Sequence, residues 1–290
     1  MSDSEQRVCQ NCQSVFPIDA QDFDFYAKIK VPPPTFCPEC RLIRRMHLRN
    51  ERALYKDKCE ICGKDTLSLY SPDKPFLVYC HECWWSDKWN VMDYGADYNF
   101  DKPFFQQWSE LLHKVPRLAL SVQEMVNSDY CNVAQRDKEC YLISATEGNE
   151  RVMFANRVVF NKDSLDLYIG DRNELCYELI NCLQCYRLFF SRNCRQCQDS
   201  AFLLECSNCT NCFGCVNLRN KQYCILNKQY TKQEYEVLVP RIIEQMNESP
   251  YISKSQMSNV KSQNQNSTQS YDRLPYRMMG ANLKTEQEKI

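Results

Sequence analysis

Four CxxC pairs stand in order along the N-terminal part of the chain: Cys9 and Cys12, Cys37 and Cys40, Cys59 and Cys62, Cys80 and Cys83. Two thiolates three residues apart can close on one tetrahedral ion, whereas CxxC is a poor intramolecular disulfide outside redox enzymes. The pairs divide into two similar quartets. "VCQNCQ" and "KCEICGK" each open a quartet as a knuckle, in which a tight turn aims backbone amides at the sulfurs. "FCPECR" and "YCHECWW" close them, each with an aromatic before the first cysteine and a helix-compatible run after the second. Between Cys62 and Cys80 lie 17 residues, inside the window of about 15 to 20 that zinc ribbons use. Between Cys12 and Cys37 lie 24, just outside it. Four sulfurs make a closed site, so two structural Zn²⁺ ions would contribute folding free energy rather than activate water. Cross-braced pairing, first with third and second with fourth, stays open at this level.

The first closing pair, Cys37 and Cys40, leads into "RLIRRMHLRNER". If Cys37 and Cys40 fix the start of a helix running to about Leu54, a step of about 100° per residue gathers Arg41, Arg44, Arg45, Arg49 and Arg52 on one face. Leu42, Ile43, Met46, Ala53 and Leu54 fall on the other, which can pack on the zinc module. From Lys28 to Lys58 nine Lys or Arg face three Asp or Glu, a local +6 in a chain of net charge −1. Clustered arginine is the footprint of phosphate contact, so nucleic acid, RNA above all, is an expected partner. A solvated face, or pairing with Asp19, Asp22 and Asp24, is the competing expectation. Trp84, Trp85 and Trp89 are read as the small core of the second module in preference to a base-stacking surface.

Twenty cysteines against three histidines, without a basic and apolar leader, argue for metal coordination in a reducing compartment more than for disulfides. The expectation is a cytoplasmic protein with no membrane span. No nucleophile with its base, Gly-rich phosphate loop or mixed His and carboxylate site stands out, and only six glycines occur. The expectation is therefore not an enzyme, and no small-molecule substrate is identified.

The elements that position these residues follow from local pattern. Residues 1–95 read as tandem α+β zinc-binding modules of treble-clef or zinc-ribbon type, about 8–54 and 55–95. In the second, "GKDTLSLY" and "FLVYC" are expected to pair across a turn at Ser71–Pro75. Residues 96–128 form a helical connector, with Asp101 as cap, Pro103 in the first turn and a core-facing stripe of Phe104, Trp108, Leu111, Leu112 and Val115. His113 beside it is read as an ordinary exposed histidine.

Over 129–230 short apolar runs recur every ten to sixteen residues or so, with asparagines near their ends. That predicts an all-β irregular β-solenoid of about four or five coils, with a small sandwich as alternative. Asn156, Asn161, Asn173, Asn181, Asn193, Asn208, Asn217, Asn220 and Asn227 suit left-handed turns and stacked ladders. Cys182, Cys185, Cys194 and Cys197, and then Cys206, Cys209, Cys212 and Cys215, read two ways: a third or fourth metal site, or thiols stacked between coils. The last set falls one residue short of a ferredoxin run and lacks its proline. Thr231 and Glu234 form a capping box for a helix over 231–248 that Pro240 should kink. Residues 249–290, rich in Ser, Asn and Gln, read as a disordered or partner-docking tail.

Taken in order, "CPECR", "YSPDKPF", "YCHECWWSDKW" and "NCFGCVNLRNKQY" resemble uncharacterised cysteine-rich tandem zinc-ribbon proteins predicted from uncultivated, small-genome bacteria. The likeness covers roughly residues 8 to 245. It implies the architecture and a bacterial cytoplasm, with Cys9, Cys12, Cys37, Cys40, Cys59, Cys62, Cys80 and Cys83 as the shared pattern, and no activity. The polar C-terminal stretch departs from it. Together these readings lead to a non-enzymatic, zinc-stabilised binding protein, with a basic helix toward RNA, conceivably ribosomal, and a solenoid toward a protein partner. A pure protein scaffold, or a metal-storage or redox protein using the later cysteines, are the alternatives.

Overall fold

The computed structural model describes residues 4–47 and 50–248. The expected tail and Arg49 lie outside the described residues. The chain divides into two units, one ending at Ala119 and the other beginning at Leu120.

In the first unit the same small motif occurs twice. Strand β1 (Glu5–Val8) pairs antiparallel with β2 (Val15–Ile18), and β3 (Tyr55–Lys58) with β4 (Asp65–Ser68). The knuckle is the hairpin loop itself. Gln13 N–H donates to Cys9 O and Gly63 N–H to Cys59 O, with Gln13 at φ 63° and Gly63 at φ 69°. Glycine accepts that left-handed turn freely and Gln13 only at a cost. Helix α1 (Ala20–Lys28) follows β2, started by a capping box between Asp19 and Asp22. Two helices then begin on cysteines: α2 (Pro38–Met46) has Cys37 as N-cap, and α3 (His81–Trp84) has Cys80.

Three expectations are corrected here. The helix after Cys37 ends at Met46, not Leu54, so Arg52 lies beyond it. Its apolar residues Leu42, Ile43 and Met46 are exposed rather than packed on the module. The returning strand β5 (Val78–Tyr79) pairs parallel with β6 (Arg117–Leu118) and not across the Ser71–Pro75 turn, because the β6 segment lies between: Leu69 N–H donates to Ala119 O and Ala119 N–H to Tyr79 O, each at 2.9 Å.

The stretch expected to be a connector divides between the units. Helix α4 (Phe104–Lys114) starts from Pro103, without an Asp101 cap, and leads into β6. Its Phe104, Trp108, Leu111 and Leu112 are exposed, not core-facing. His113 is exposed, as expected, and stacks on Phe76.

The second unit is a β-solenoid of about nine turns, twice the number expected. Its period is uniform: strands from Val122–Gln123 to Gln222–Ile225 pair in parallel with a register of twelve residues, as in Glu150 with Lys162 and Leu165 with Tyr177. Each coil is four triplets. Every third residue from Glu124 to Leu226 has φ near +50°, and only Gly148 and Gly214 among them are glycine. Left-handed φ costs a non-glycine residue about 1 to 2 kcal/mol. Ladder bonds such as Lys138 N–H to Asn149 O (2.9 Å) and Arg151 N–H to Lys138 O (2.9 Å), repeated on every coil, hold it there.

The residue after each left-handed position points inward, giving four columns that fill the core. One column runs Asp137, Asn149, Asn161, Asn173, and then Cys185, Cys197 and Cys209, all buried. Side-chain amides join its coils: Asn149 Nδ2 donates to Asp137 Oδ1 (2.8 Å), Asn161 Nδ2 to Asn149 Oδ1 (3.1 Å) and Asn173 Nδ2 to Asn161 Oδ1 (2.9 Å). Asp137 also accepts from Thr146 Oγ1 and Asn149 N–H, so the buried carboxylate is fully engaged. The ladder expected of the asparagines is present, but they divide: Asn161 and Asn173 are inward and buried, Asn156 is buried one position before the left-handed Arg157, and Asn181, Asn193, Asn208, Asn217, Asn220 and Asn227 take the left-handed positions.

Helix α5 (Lys232–Glu248) closes the C-terminal end. Its capping box is formed, with Thr231 N–H donating to Glu234 Oε2 (2.8 Å) and Glu234 N–H to Thr231 Oγ1 (3.2 Å). The helix continues through Pro240. Tyr235 is buried against Phe213 and Ile225, with Leu238, Val239 and Ile242 packed around them.

Candidate metal centres

Each hairpin tip meets one helix start, and there the structure brings the first eight cysteines together as two quartets. In Cys9, Cys12, Cys37 and Cys40, and again in Cys59, Cys62, Cys80 and Cys83, all four Sγ atoms lie within 4.8 Å of one another. Pairing is sequential, not cross-braced. Cys12 and Cys37 Sγ are 3.7 Å apart, and Cys62 and Cys80 Sγ 3.9 Å, far beyond a disulfide's roughly 2.05 Å. Both quartets are therefore geometrically suited to a metal ion.

Backbone N–H groups point at three of these sulfurs. Cys37 N–H donates to Cys9 Sγ (3.2 Å), Cys40 N–H to Cys37 Sγ (3.4 Å) and Cys80 N–H to Cys59 Sγ (3.3 Å). Burial works to raise Cys9, but the amides of Cys12, Cys37 and Asn11 outweigh it and bring the thiol down to about 6. Cys59 reaches about 6 by the same opposition of burial against the amides of Cys80, Cys62 and Ile61. Asn11 Nδ2 also donates to Cys40 Sγ at 3.3 Å, a support the CxxC spacing did not disclose. The pairing of hairpin and helix is what lets the cores be so small: Phe16, Ile18 and the cysteines in the first, Tyr79 and the cysteines in the second. Trp84 and Trp89 pack on the second core with ring centres 4.7 Å apart, whereas Trp85 is exposed and donates to His81 Nε2 (3.2 Å).

Of the five arginines, Arg41, Arg44 and Arg45 lie on α2, started by Cys37. Arg44 lies over the Phe36 ring at 5.1 Å, and Arg41 Nε is buried with no hydrogen-bond partner among the described residues. Arg52 falls in a bend after the helix.

The later cysteines are placed differently. Cys182, Cys185, Cys194, Cys197, Cys206, Cys209, Cys212 and Cys215 are all buried in the solenoid columns. Among the described residues, only the two N-terminal quartets bring three or more metal-ligating side chains within 4.8 Å of one another. Each column thiol donates to carbonyls of its own coil or the next, as Cys206 does to Leu204 O (3.4 Å) and Cys215 O (3.4 Å). Burial pushes Cys131 and Cys176 up, to about 12 and about 11, as expected of neutral thiol donors. Cys194 is raised by its contacts with Cys182, Cys197 and Cys206, which are lowered in turn. One signal in the sequence marks these columns: Cys182, Cys194 and Cys206 recur at twelve, as do Cys185, Cys197 and Cys209.

No protein-family profile and no curated protein sequence matches the chain. Among the described residues no helix is long and apolar enough to cross a membrane.

Proposed function

We propose that this is a non-enzymatic, zinc-stabilised binding protein that contacts RNA through α2 and protein through its solenoid. Zinc suits a closed set of four thiolates, and hairpin knuckle plus helix start is the arrangement of a treble clef. Four sulfurs per ion leave no open position for substrate or water, which supports a structural role. All-thiolate sites fit a reducing compartment such as the cytoplasm.

One observation carries the RNA reading: Cys37 is at once a metal-suited ligand and the N-cap of α2. A bound ion would therefore fix the direction in which Arg41, Arg44 and Arg45 project. Replacing these three with Gln should weaken binding of a single-stranded RNA at least tenfold in about 50 mM salt, and flatten the log–log salt slope by about 2, at roughly 0.7 per phosphate contact. Unchanged affinity and slope would contradict it. Exposed Leu42, Ile43 and Met46 favour a second reading, in which α2 meets an acidic protein. Association that survives nuclease treatment would select that one.

A further inference from the structure

Charge is divided unequally along the solenoid. From Asp129 to Cys182 ten Asp or Glu face six Lys or Arg, whereas from Leu183 to Lys228 six Lys or Arg face two Asp or Glu. In the first half cations pair with carboxylates: Arg136 with Glu147, Lys138 with Glu150, Arg151 with Asp163 and Arg172 with Asp171. In the second half Arg187 pairs with Asp199, and Lys228 lies over the Tyr230 ring. Among the described residues, Arg192, Arg195, Arg219 and Lys221 have no acidic partner. Two of these four share a face. The register stacks Leu183, Arg195, Ser207 and Arg219 in one outward column, with Gln184, Gln196, Asn208 and Asn220 at the left-handed positions beside it. Over these four coils neither column holds a carboxylate. Arg195 and Arg219 are both exposed and two coils apart, roughly 10 Å at about 4.8 Å per coil. Asn208 Nδ2 donates to Asn220 Oδ1 (3.0 Å), which leaves Asn208 Oδ1 and Asn220 Nδ2 without a partner among the described residues.

Resting on the reading of this chain as an RNA-binding protein, we propose that this face of the last coils is a second RNA site, in which Arg195 and Arg219 hold phosphates of a single strand while Gln196, Asn208 and Asn220 meet its base edges.

Three observations select this ligand. The first is charge: exposed guanidiniums in a carboxylate-free field attract a polyanion, and their forks match phosphate oxygens. The second is spacing. The two arginines are spread along the coil axis instead of converging, which suits a chain of phosphates; capture of a single phosphorylated side chain needs several donors aimed at one group. The third is the amide column, because carboxamides with a free donor and a free acceptor complement base edges, and single strands leave those edges open. The acidic first half of the solenoid repels the same strand and so confines it to the last coils.

The test titrates a labelled oligo(U) with the full chain, from about 50 mM salt upward. Arg195→Gln with Arg219→Gln should weaken binding by about fivefold or more and flatten the log–log salt slope by about 1.4, at roughly 0.7 per phosphate contact. Arg136→Gln with Arg172→Gln makes the same change of charge at cations that already have partners, and should leave affinity and slope unchanged. All four side chains are exposed, so both variants should keep the native far-UV circular dichroism. Native affinity and slope in the Arg195 and Arg219 variant, or an equal loss in the Arg136 and Arg172 variant, would overturn the face. The α2 variant, Arg41→Gln, Arg44→Gln and Arg45→Gln, separates the two readings. Loss in the α2 variant alone would overturn this face and leave α2 standing, whereas loss in the solenoid variant alone would support this face and contradict α2. No binding of oligo(U) by the native chain would overturn both. Displacement of the bound strand by a phosphoserine peptide at the same phosphate concentration would assign the face to a phosphoprotein and overturn this ligand.

Discussion

The same letters, CxxC, mean opposite things in the two units. At a hairpin tip such as Cys59 to Cys62, a tight turn brings both sulfurs to one point, and a second pair at a helix start completes the quartet. In the solenoid, Cys182 and Cys185 occupy successive inward positions of one coil and so belong to different columns; their stacking neighbours lie twelve residues on, at Cys194 and Cys197. Backbone geometry decides whether cysteine serves as a ligand or as a small apolar residue that fills a column. In the first unit backbone N–H groups reach the sulfurs of Cys9, Cys37 and Cys59, whereas in the second the column thiols donate to carbonyls, as Cys206 and Cys209 do to Leu204 O and Ser207 O.

The largest effect expected from this contrast is metal removal. A chelator, or Cys37→Ser together with Cys80→Ser, should unfold the first unit, since structural zinc supplies on the order of 10 kcal/mol. The solenoid's far-UV signal should persist, and Cys194→Ser should leave metal content unchanged, because Ser191 and Ser200 already serve as inward residues, each donating to a carbonyl. Loss of both units on chelation would erase the distinction.

Next in size is Asn161→Ala. It removes the acceptor of Asn173 and a donor to Asn149, and stranded buried amides cost about 1 to 3 kcal/mol each. The solenoid's thermal midpoint should fall while metal content holds.

Smallest, and opposite in sign, is Ile169→Asn. Ile169 is exposed, β-branched and at φ 57°. Relief of that strain should raise the midpoint, by about 1 kcal/mol or less. A fall would mean that its side chain is held by packing.

Much of this was legible in the letters. Thiol spacing disclosed both quartets, and Thr231 with Glu234 disclosed the cap of α5. The length of α2 was not, because the arginine pattern continues past Met46 while the helix does not. Nor was the coil. The apolar runs are unevenly spaced, whereas in the fold every third residue turns left-handed whatever its type: Val133, Phe190 and Asn208 alike. Intrinsic preference gives no warning of that, since the ladder between coils imposes it. The twelve-residue recurrence of Cys, Asn and aromatic residues was the available signal.

The central claim is that eight thiols are ligands and twelve are core. Elemental analysis of anaerobically purified, full-length protein, combined with thiol titration before and after chelation, tests it directly. The account predicts two zinc ions per chain, with chelation exposing the eight thiols of the first unit and leaving those of the solenoid unreactive until it is denatured. Three or more ions per chain, or none with the first unit still folded, would contradict it.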